Sequence, residues 1–252
     1  MSKRILQTLI QRRKQGIKSF ALLIDPDKFD ENTGQAFLQM PAFTKVDFIF
    51  VGGSLITGDN FGQTVQWLRQ HVQKPIIIFP GSNMHIDMAA DAILFLSLIS
   101  GRNPDFLIGQ QIVAAPILKR SNLEVLPTGY MLVESGRQTT VSYISNTTPI
   151  PHDKPEVAAC TALAGEMLGL QLIYADGGSG AEHPISAKMI GMIRKSVDAP
   201  IIIGGGINTP ERAQKALQAG ADVIVVGNAI EKDAQILEGI VDKVAEMNKE
   251  GS

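Results

Sequence analysis

An eight-stranded parallel barrel with alternating helices, the (β/α)8 or TIM barrel of phosphate-binding type, is the α/β fold this sequence predicts. Three observations predict it. Short apolar runs without polar alternation recur at 19–24, 48–51, 76–79, 92–96, 129–133, 172–175, 201–203 and 223–226, eight in all. Such runs are the pattern of parallel strands buried on both faces. Helical spacing fills most of the intervals between them, and 252 residues match the roughly 250 that such a barrel needs. An open doubly wound sheet is the competing arrangement. No linker or low-complexity tract divides the chain, so residues 1–252 read as a single domain.

Taken in order, the stretch 2–15 is apolar at Ile5, Leu6, Leu9 and Ile10. It predicts an extra N-terminal helix closing the bottom of the barrel. Helices are expected over 61–72, 105–118, 156–168, 185–197, 210–219 and 230–247. Thr209-Pro210-Glu211 marks one start, with a capping hydroxyl, a proline in the first turn and an early acid, and Gly220 marks its stop. One unit is defective. Only twelve residues separate Phe79 from Ala92, and Pro80-Gly81-Ser82-Asn83 takes the first four. The third outer helix is therefore missing or reduced, which leaves apolar barrel surface open to solvent or a ligand. The polar stretch 138–153, with its two prolines, is the longest irregular insertion and a place for a small strand.

Composition removes several functions. Lys plus Arg is 23 against 25 Asp plus Glu, a formal net charge of -2, so neither a nucleic-acid footprint nor a polybasic membrane anchor is present. Cys160 is the single cysteine, which excludes an intramolecular disulfide. His71, His85, His152 and His183 have no metal spacing; surface or loop positions are expected for them, and core positions for Cys160 and Trp67. The charged N-terminal stretch does not read as a signal peptide, and no apolar run reaches membrane-spanning length. A cytoplasmic protein is expected.

Chemistry in such a barrel sits at the C-terminal ends of the strands. Strand six runs into Tyr174, Ala175, Asp176, Gly177, Gly178, Ser179 and Gly180. Strand seven runs into Gly204-Gly205-Gly206, and strand eight into Gly227-Asn228. Glycines let backbone N–H groups approach an anion closely, so these three loops together predict a phosphate site; each alone would also serve as a tight turn. On the other side of the mouth lie Asp25 and Ser54. A carboxylate with a hydroxyl suits magnesium, which keeps waters and completes its shell with substrate phosphate, though Asp25 equally suits a turn before Pro26. Lys28 and Arg102 are candidates to neutralise a second phosphate group, although each taken singly suits a solvated role better. Asp176, next to the Tyr174 hydroxyl, is placed to take a proton from a substrate hydroxyl, or else to order its loop by accepting backbone N–H bonds. Nucleophile-elbow and Walker patterns are absent.

At these residues the sequence resembles the geranylgeranylglyceryl phosphate synthase family, which includes the bacterial heptaprenylglyceryl phosphate synthases. The motifs are IDPDK at 24–28, VGGS at 51–54, FPGS at 79–82, SLISGRNP at 97–104, PTGY at 127–130, SNTTPIP at 145–151, the 174–180 loop, GGGI at 204–207 and VGNAI at 226–230. GGGI and VGNAI are common to many phosphate-binding barrels; IDPDK, SLISGRNP and PTGY are far more selective. The resemblance implies a Mg-dependent prenyltransferase of ether phospholipid synthesis. It would join an isoprenyl diphosphate, such as geranylgeranyl diphosphate, to the 3-hydroxyl of sn-glycerol 1-phosphate. By the family pattern Asp25 and Ser54 bind Mg2+. The acceptor lies against 174–180 with Gly205, Gly206, Gly227 and Asn228, and Tyr174 and Asp176 are the catalytic candidates. A homodimer or homohexamer and transient membrane contact for the lipid product are also implied.

The loop departs from the pattern at one place: Asp176 stands where the family usually has glutamate, with Gly177 after it in place of alanine or a similar residue. The carboxylate's reach is one methylene shorter, and a displacement of about an ångström can cost roughly a hundredfold in rate. A long donor also needs an apolar groove, each buried methylene contributing roughly 0.8 kcal/mol. The gap left by the third helix is the expected place, with 95–99 as one wall. The competing readings are a barrel enzyme acting on a phosphorylated sugar or indole precursor, and a non-catalytic phospho-ligand binder.

Overall fold

The computed structural model describes residues 4–227 and 234–250. Within them a closed barrel forms in the order β1 to β8, every neighbouring pair parallel. The strands are β1 (Ser19–Ile24), β2 (Phe48–Gly52), β3 (Ile76–Phe79), β4 (Ala92–Leu98), β5 (Glu124–Leu132), β6 (Leu172–Asp176), β7 (Ile201–Gly204) and β8 (Val223–Val226). Closure through β1 and β8, with Ser19 beside Val223, excludes the open sheet.

Alternation along each strand divides the core in two. Ala21, Phe50, Leu94, Leu126, Tyr174 and Ile202 pack inside the barrel. Phe20, Ile49, Ile93, Ile173 and Ile201 face the helices. Both faces are apolar, which is why these strands read as continuous runs. The helices are α1 (Arg4–Lys14), α2 (Glu31–Gln39), α3 (Phe61–His71), α4 (Gln110–Arg120), α5 (Thr140–Ser145), α6 (Pro155–Met167), α7 (Ala187–Ser196), α8 (Pro210–Ala219) and α9 (Ala234–Glu250). The expected start of α9 at 230 lies outside the described residues. Thr209 caps α8 by accepting from Arg212 N–H, and Gly220 ends it.

Helix α1 closes the barrel bottom as predicted. Ile5, Leu6 and Leu9 join the inner core. The N–H groups of Ile5 and Leu6, in the helix's first turn, donate to the Glu124 carboxylate at 2.9 and 3.0 Å, which satisfies donors the helix itself cannot.

Four elements differ from the sequence reading. The helix expected over 105–118 opens with a π-helical turn, Asp105–Gly109, and becomes α-helical only at Gln110. Strand β5 begins at Glu124, five residues before the predicted start, because Pro127 is accommodated inside it beside Phe95. Helix α2 was not expected; Gly34 in its middle has low helix propensity, and the Trp67 ring packed against that glycine leaves no room for a Cβ. Insertion 138–153 carries α5, with a single bridge from Val133 to Ile150 in place of a strand. Its capping serine, Ser142, takes the Thr139 N–H at 3.1 Å in a position where Glu or Gln is the usual signal.

The missing helix is the feature that shapes the site. Turns, bends and irregular chain fill 80–91, without a helix. Strand β4 pairs with β3 at Ile77–Ala92 and Ile78–Ile93, but with β5 from Ala92–Glu124 to Leu98–Tyr130. The barrel wall therefore splays open between β3 and β4. Gln111 reaches across from α4 to donate to the Leu96 carbonyl, taking over part of the role of a strand partner.

Candidate active site

Two cavities meet at the C-terminal mouth of the barrel. The first is polar. Asp25, Lys28, Ser54, Tyr174, Asp176, Gly178, Ser179, Gly205 and Gly227 all line it, together with Thr140. The predicted anion loops and the predicted metal residues thus face one space. Asn228 lies outside the described residues.

Four predicted residues stand behind this wall instead of lining it. Ala175 points outward into the helix-facing core, as strand alternation between Tyr174 and Asp176 requires. Gly177 donates its N–H to the Gly204 carbonyl at 3.1 Å. Gly180 carries the Arg137 guanidinium against its α-carbon, and Gly206 backs onto His183 and Pro184. Gly205 shows why the loop needs glycine: its φ is 76°, and a Cβ there would sit 2.7 Å from the Gly177 nitrogen. The loops after β6 and β7 interlock at that point.

The buried carboxylate of Asp176 is held on both oxygens. Tyr130 donates its hydroxyl to Oδ2 at 2.6 Å, and Gly178 donates its N–H to Oδ1 at 2.8 Å. The loop-ordering role is therefore real, yet each oxygen keeps a further lone pair. Burial pushes the Asp176 carboxyl above the usual carboxylate range, and the Tyr130 and Gly178 bonds pull it partly back. Burial, with the Asp176 charge next, pushes the Tyr130 and Tyr174 phenols well above their ordinary value. Both stay protonated.

Across the cavity, Lys28 Nζ lies 3.1 Å from Asp25 Oδ2. Among the described residues no cluster of three or more His, Cys, Asp or Glu side chains is arranged to hold a metal. Asp25 and Ser54 offer hard oxygen donors on an open, polar wall, which suits a cation held largely by water and ligand oxygens. Asp27, outside the sequence reading of the site, accepts from Thr57 and Gly58. The Thr57 N–H bond, then that of Gly58, holds its carboxyl below the usual range.

The second cavity is the splayed wall itself. It is open to solvent along one side and is lined by Phe79, Ile86, Ile93, Phe95, Leu96, Leu98, Phe106, Ala114, Leu118 and Ile144, among others. Ile99, expected in this wall, faces a separate outer cleft with Arg102, Cys160 and Leu168. Arg102 is therefore away from both cavities; its guanidinium donates to the Gly101 carbonyl at 2.8 Å. Cys160 is exposed and not a core residue, because α6 turns that face outward. Trp67 is partly buried against the core, edge-on to Phe29 at 5.3 Å.

Gly53, Ser54 and Phe79 line both cavities, so the two are contiguous. Phe79 stacks on Tyr174 at 5.2 Å and meets Tyr130 edge-on at 6.0 Å. Sequence reasoning named the FPGS and PTGY motifs without giving Phe79 or Tyr130 a role. The only signal in the sequence was an aromatic in each motif; that Tyr130 stands directly beside Tyr174 is a matter of strand register.

Residues 10–248 match the PcrB family. The chain belongs to that family. PcrB relatives include a geranylgeranylglyceryl phosphate synthase from Spirosoma linguale, 58% identical over 93% of this chain and 94% of the relative. Another, from Thermococcus gammatolerans, is 40% identical over 96% of each chain. Among solved structures, the (S)-3-O-geranylgeranylglyceryl phosphate synthase of Thermoplasma acidophilum, in complex with its substrate sn-glycerol-1-phosphate, superposes with a TM-score of 0.89. It is 31% identical and covers 96% of this chain and 98% of that one. The 3-hexulose-6-phosphate synthase of Salmonella typhimurium, at TM-score 0.61 and 17% identity over 93% of this chain and 100% of that one, shares the barrel alone. The sugar-phosphate reading has no support beyond that shared fold. No described helix of this PcrB chain is long and apolar enough to cross a membrane.

Proposed function

We propose that the chain is a prenyltransferase that joins a long isoprenyl diphosphate to the 3-hydroxyl of sn-glycerol 1-phosphate, with geranylgeranyl diphosphate as the first donor to test. The observation that carries this reading is the shared wall. A polar cavity suited to phosphates and an apolar groove suited to a hydrocarbon tail meet at Ser54 and Phe79.

The acceptor phosphate binds against Gly178, Ser179, Gly205 and Gly227, with Gly177, Gly180 and Gly206 holding the backbone behind it and Asn228 completing the set. Its 3-hydroxyl then lies toward Asp176. The donor tail occupies the groove, and its diphosphate faces Asp25, Lys28 and Ser54. As the ether bond forms between the acceptor oxygen and donor C1, the C1–O bond to diphosphate breaks and its electron pair leaves with the diphosphate. Asp176 accepts the hydroxyl proton; burial makes it a stronger base than a solvated carboxylate. Tyr174 and Tyr130 stay protonated, and Tyr130 orients the carboxylate. Mg2+ held by Asp25, Ser54, water and diphosphate oxygens would supply charge stabilisation for the leaving group, beside the Lys28 ammonium.

Labelled sn-glycerol 1-phosphate, incubated with geranylgeranyl diphosphate and magnesium, should give organic-extractable product. Absence of product with every donor length would leave the transferase reading without support and favour a phospho-ligand binder.

We also infer assembly with further copies of the chain. Ile108, Ile112 and Val113 are exposed on the first turns of the α4 region, and contiguous apolar surface of this kind marks interfaces. Light scattering should return a multiple of 27.2 kDa; a strict monomer at assay concentration contradicts it.

A further inference from the structure

Ser54 sits on the loop after β2, and that loop is fastened to Asp27. Thr57 donates both its N–H, at 2.7 Å, and its hydroxyl, at 2.8 Å, to Asp27 Oδ2. Gly58 donates its N–H to Oδ1 at 2.9 Å. On its other side, the Asp27 N–H donates to Asp25 Oδ1 at 3.2 Å. One residue therefore grips the Ser54 loop with its side chain and the Asp25 carboxylate with its backbone.

The far side of the same loop is fixed independently. Gly81 backs so closely on Gly53 and Ser54 that a Cβ would come within 2.2 Å of the Gly53 carbonyl oxygen. The Gly81 N–H donates to His85 Nδ1 at 3.2 Å. The β3 turn thus presses the loop from one side, and Asp27 draws it toward β1 from the other.

We propose that Asp27 is a positioning residue that sets the separation of the Asp25 carboxylate from the Ser54 hydroxyl and thereby the cation affinity of the pair. The proposal rests on the reading of Asp25 and Ser54 as the magnesium residues. Asp27 is exposed and does not line the polar cavity, so its three accepted bonds serve neither the core nor a ligand directly. Their effect is to close the loop between residues 27 and 58. Magnesium demands near-octahedral oxygen geometry at about 2.0–2.1 Å, so a small change in ligand spacing is costly. Outer partners that orient metal ligands are typically worth about 10–100-fold in affinity.

The test uses the full chain with Mn2+ as the paramagnetic probe of the magnesium site. Free Mn2+ is read by electron paramagnetic resonance, and sn-glycerol 1-phosphate binding by calorimetry. Asp27→Ala should weaken Mn2+ binding about tenfold or more while leaving glycerol phosphate affinity within about twofold. Thr57→Val, which removes one of the three bonds, should act in the same direction with a smaller effect, and it decides the matter if Asp27→Ala melts early. If Asp25→Asn weakens Mn2+ binding but neither Asp27→Ala nor Thr57→Val does, the positioning role is overturned and the metal reading stands. Should Asp25→Asn also leave Mn2+ binding unchanged, the metal reading falls and this inference with it. Equal loss of Mn2+ and glycerol phosphate binding in Asp27→Ala would mark general damage and overturn the role.

Discussion

The Tyr130 hydroxyl donates to Asp176 Oδ2 at 2.6 Å, a bond between neighbouring strands made entirely inside the barrel. It sits where the two cavities join. Tyr130 lines the apolar groove, Asp176 lines the polar cavity, and Phe79 packs against Tyr130 between them. A short charge-assisted bond of this kind orients a carboxylate strongly.

Tyr130→Phe removes a bond that favours the charged form of Asp176. The carboxyl should then shift further up, and the acid limb of the kcat/KM profile should move to higher pH. Activity at the alkaline plateau should fall less than activity on the acid side. A profile that keeps its acid limb in place would separate Tyr130 from the base.

The raised Asp176 value also has a stability consequence. Because the folded-state value lies above the unfolded one, the folded chain binds the proton more tightly. The contribution of this group to stability is therefore most favourable at low pH and declines as pH rises through the window between the two values; the cost persists above it. Asp176→Asn should melt higher than wild type at neutral pH, by roughly 2–4 °C for each kcal/mol relieved, while turnover drops by a factor on the order of 10²–10⁴. A lower melting temperature at neutral pH would contradict the burial cost.

Gly205→Ala should act on the acceptor. The new methyl would press on Gly177 and Gly178 at 2.7–2.8 Å from a backbone with φ of 76°. The loops after β6 and β7 must part, so KM for sn-glycerol 1-phosphate should rise on the order of tenfold, about 1.4 kcal/mol, with the donor KM little changed. Steady-state kinetics with each substrate varied in turn reads this directly.

Ala114→Phe should act on the donor. Ala114 is buried in the groove wall with Leu118, and a phenyl ring there takes up space the tail needs. Activity with a long donor should fall at least tenfold relative to a short one, each excluded methylene being worth roughly 0.8 kcal/mol. Equal loss for both lengths would show that the tail runs elsewhere.

The barrel and the glycine loops were legible in the sequence because they follow from local rules. Doubly buried strands leave apolar runs, and backbone-built anion sites leave glycines. The missing helix was legible too, since twelve residues between Phe79 and Ala92 cannot hold an outer helix and its turns. Tyr130 and Phe79 were not, because their significance lies in strand register, which pairs Tyr130 with Tyr174 across β5 and β6. Pro127 hid the start of β5, and Gly34 hid α2. Arg102 and Cys160 were misplaced because a loop and a helix face turn away from the barrel mouth, and spacing alone carries no sign of that.

A crystal structure with sn-glycerol 1-phosphate and a non-cleavable thio-diphosphate donor bound together tests the central claim most directly. The phosphate should rest on Gly178 and Gly205, the diphosphate beside Asp25 and Ser54, and the tail in the opening between β3 and β4. A tail outside that opening, or a phosphate on the Asp25 side of the mouth, would contradict the account.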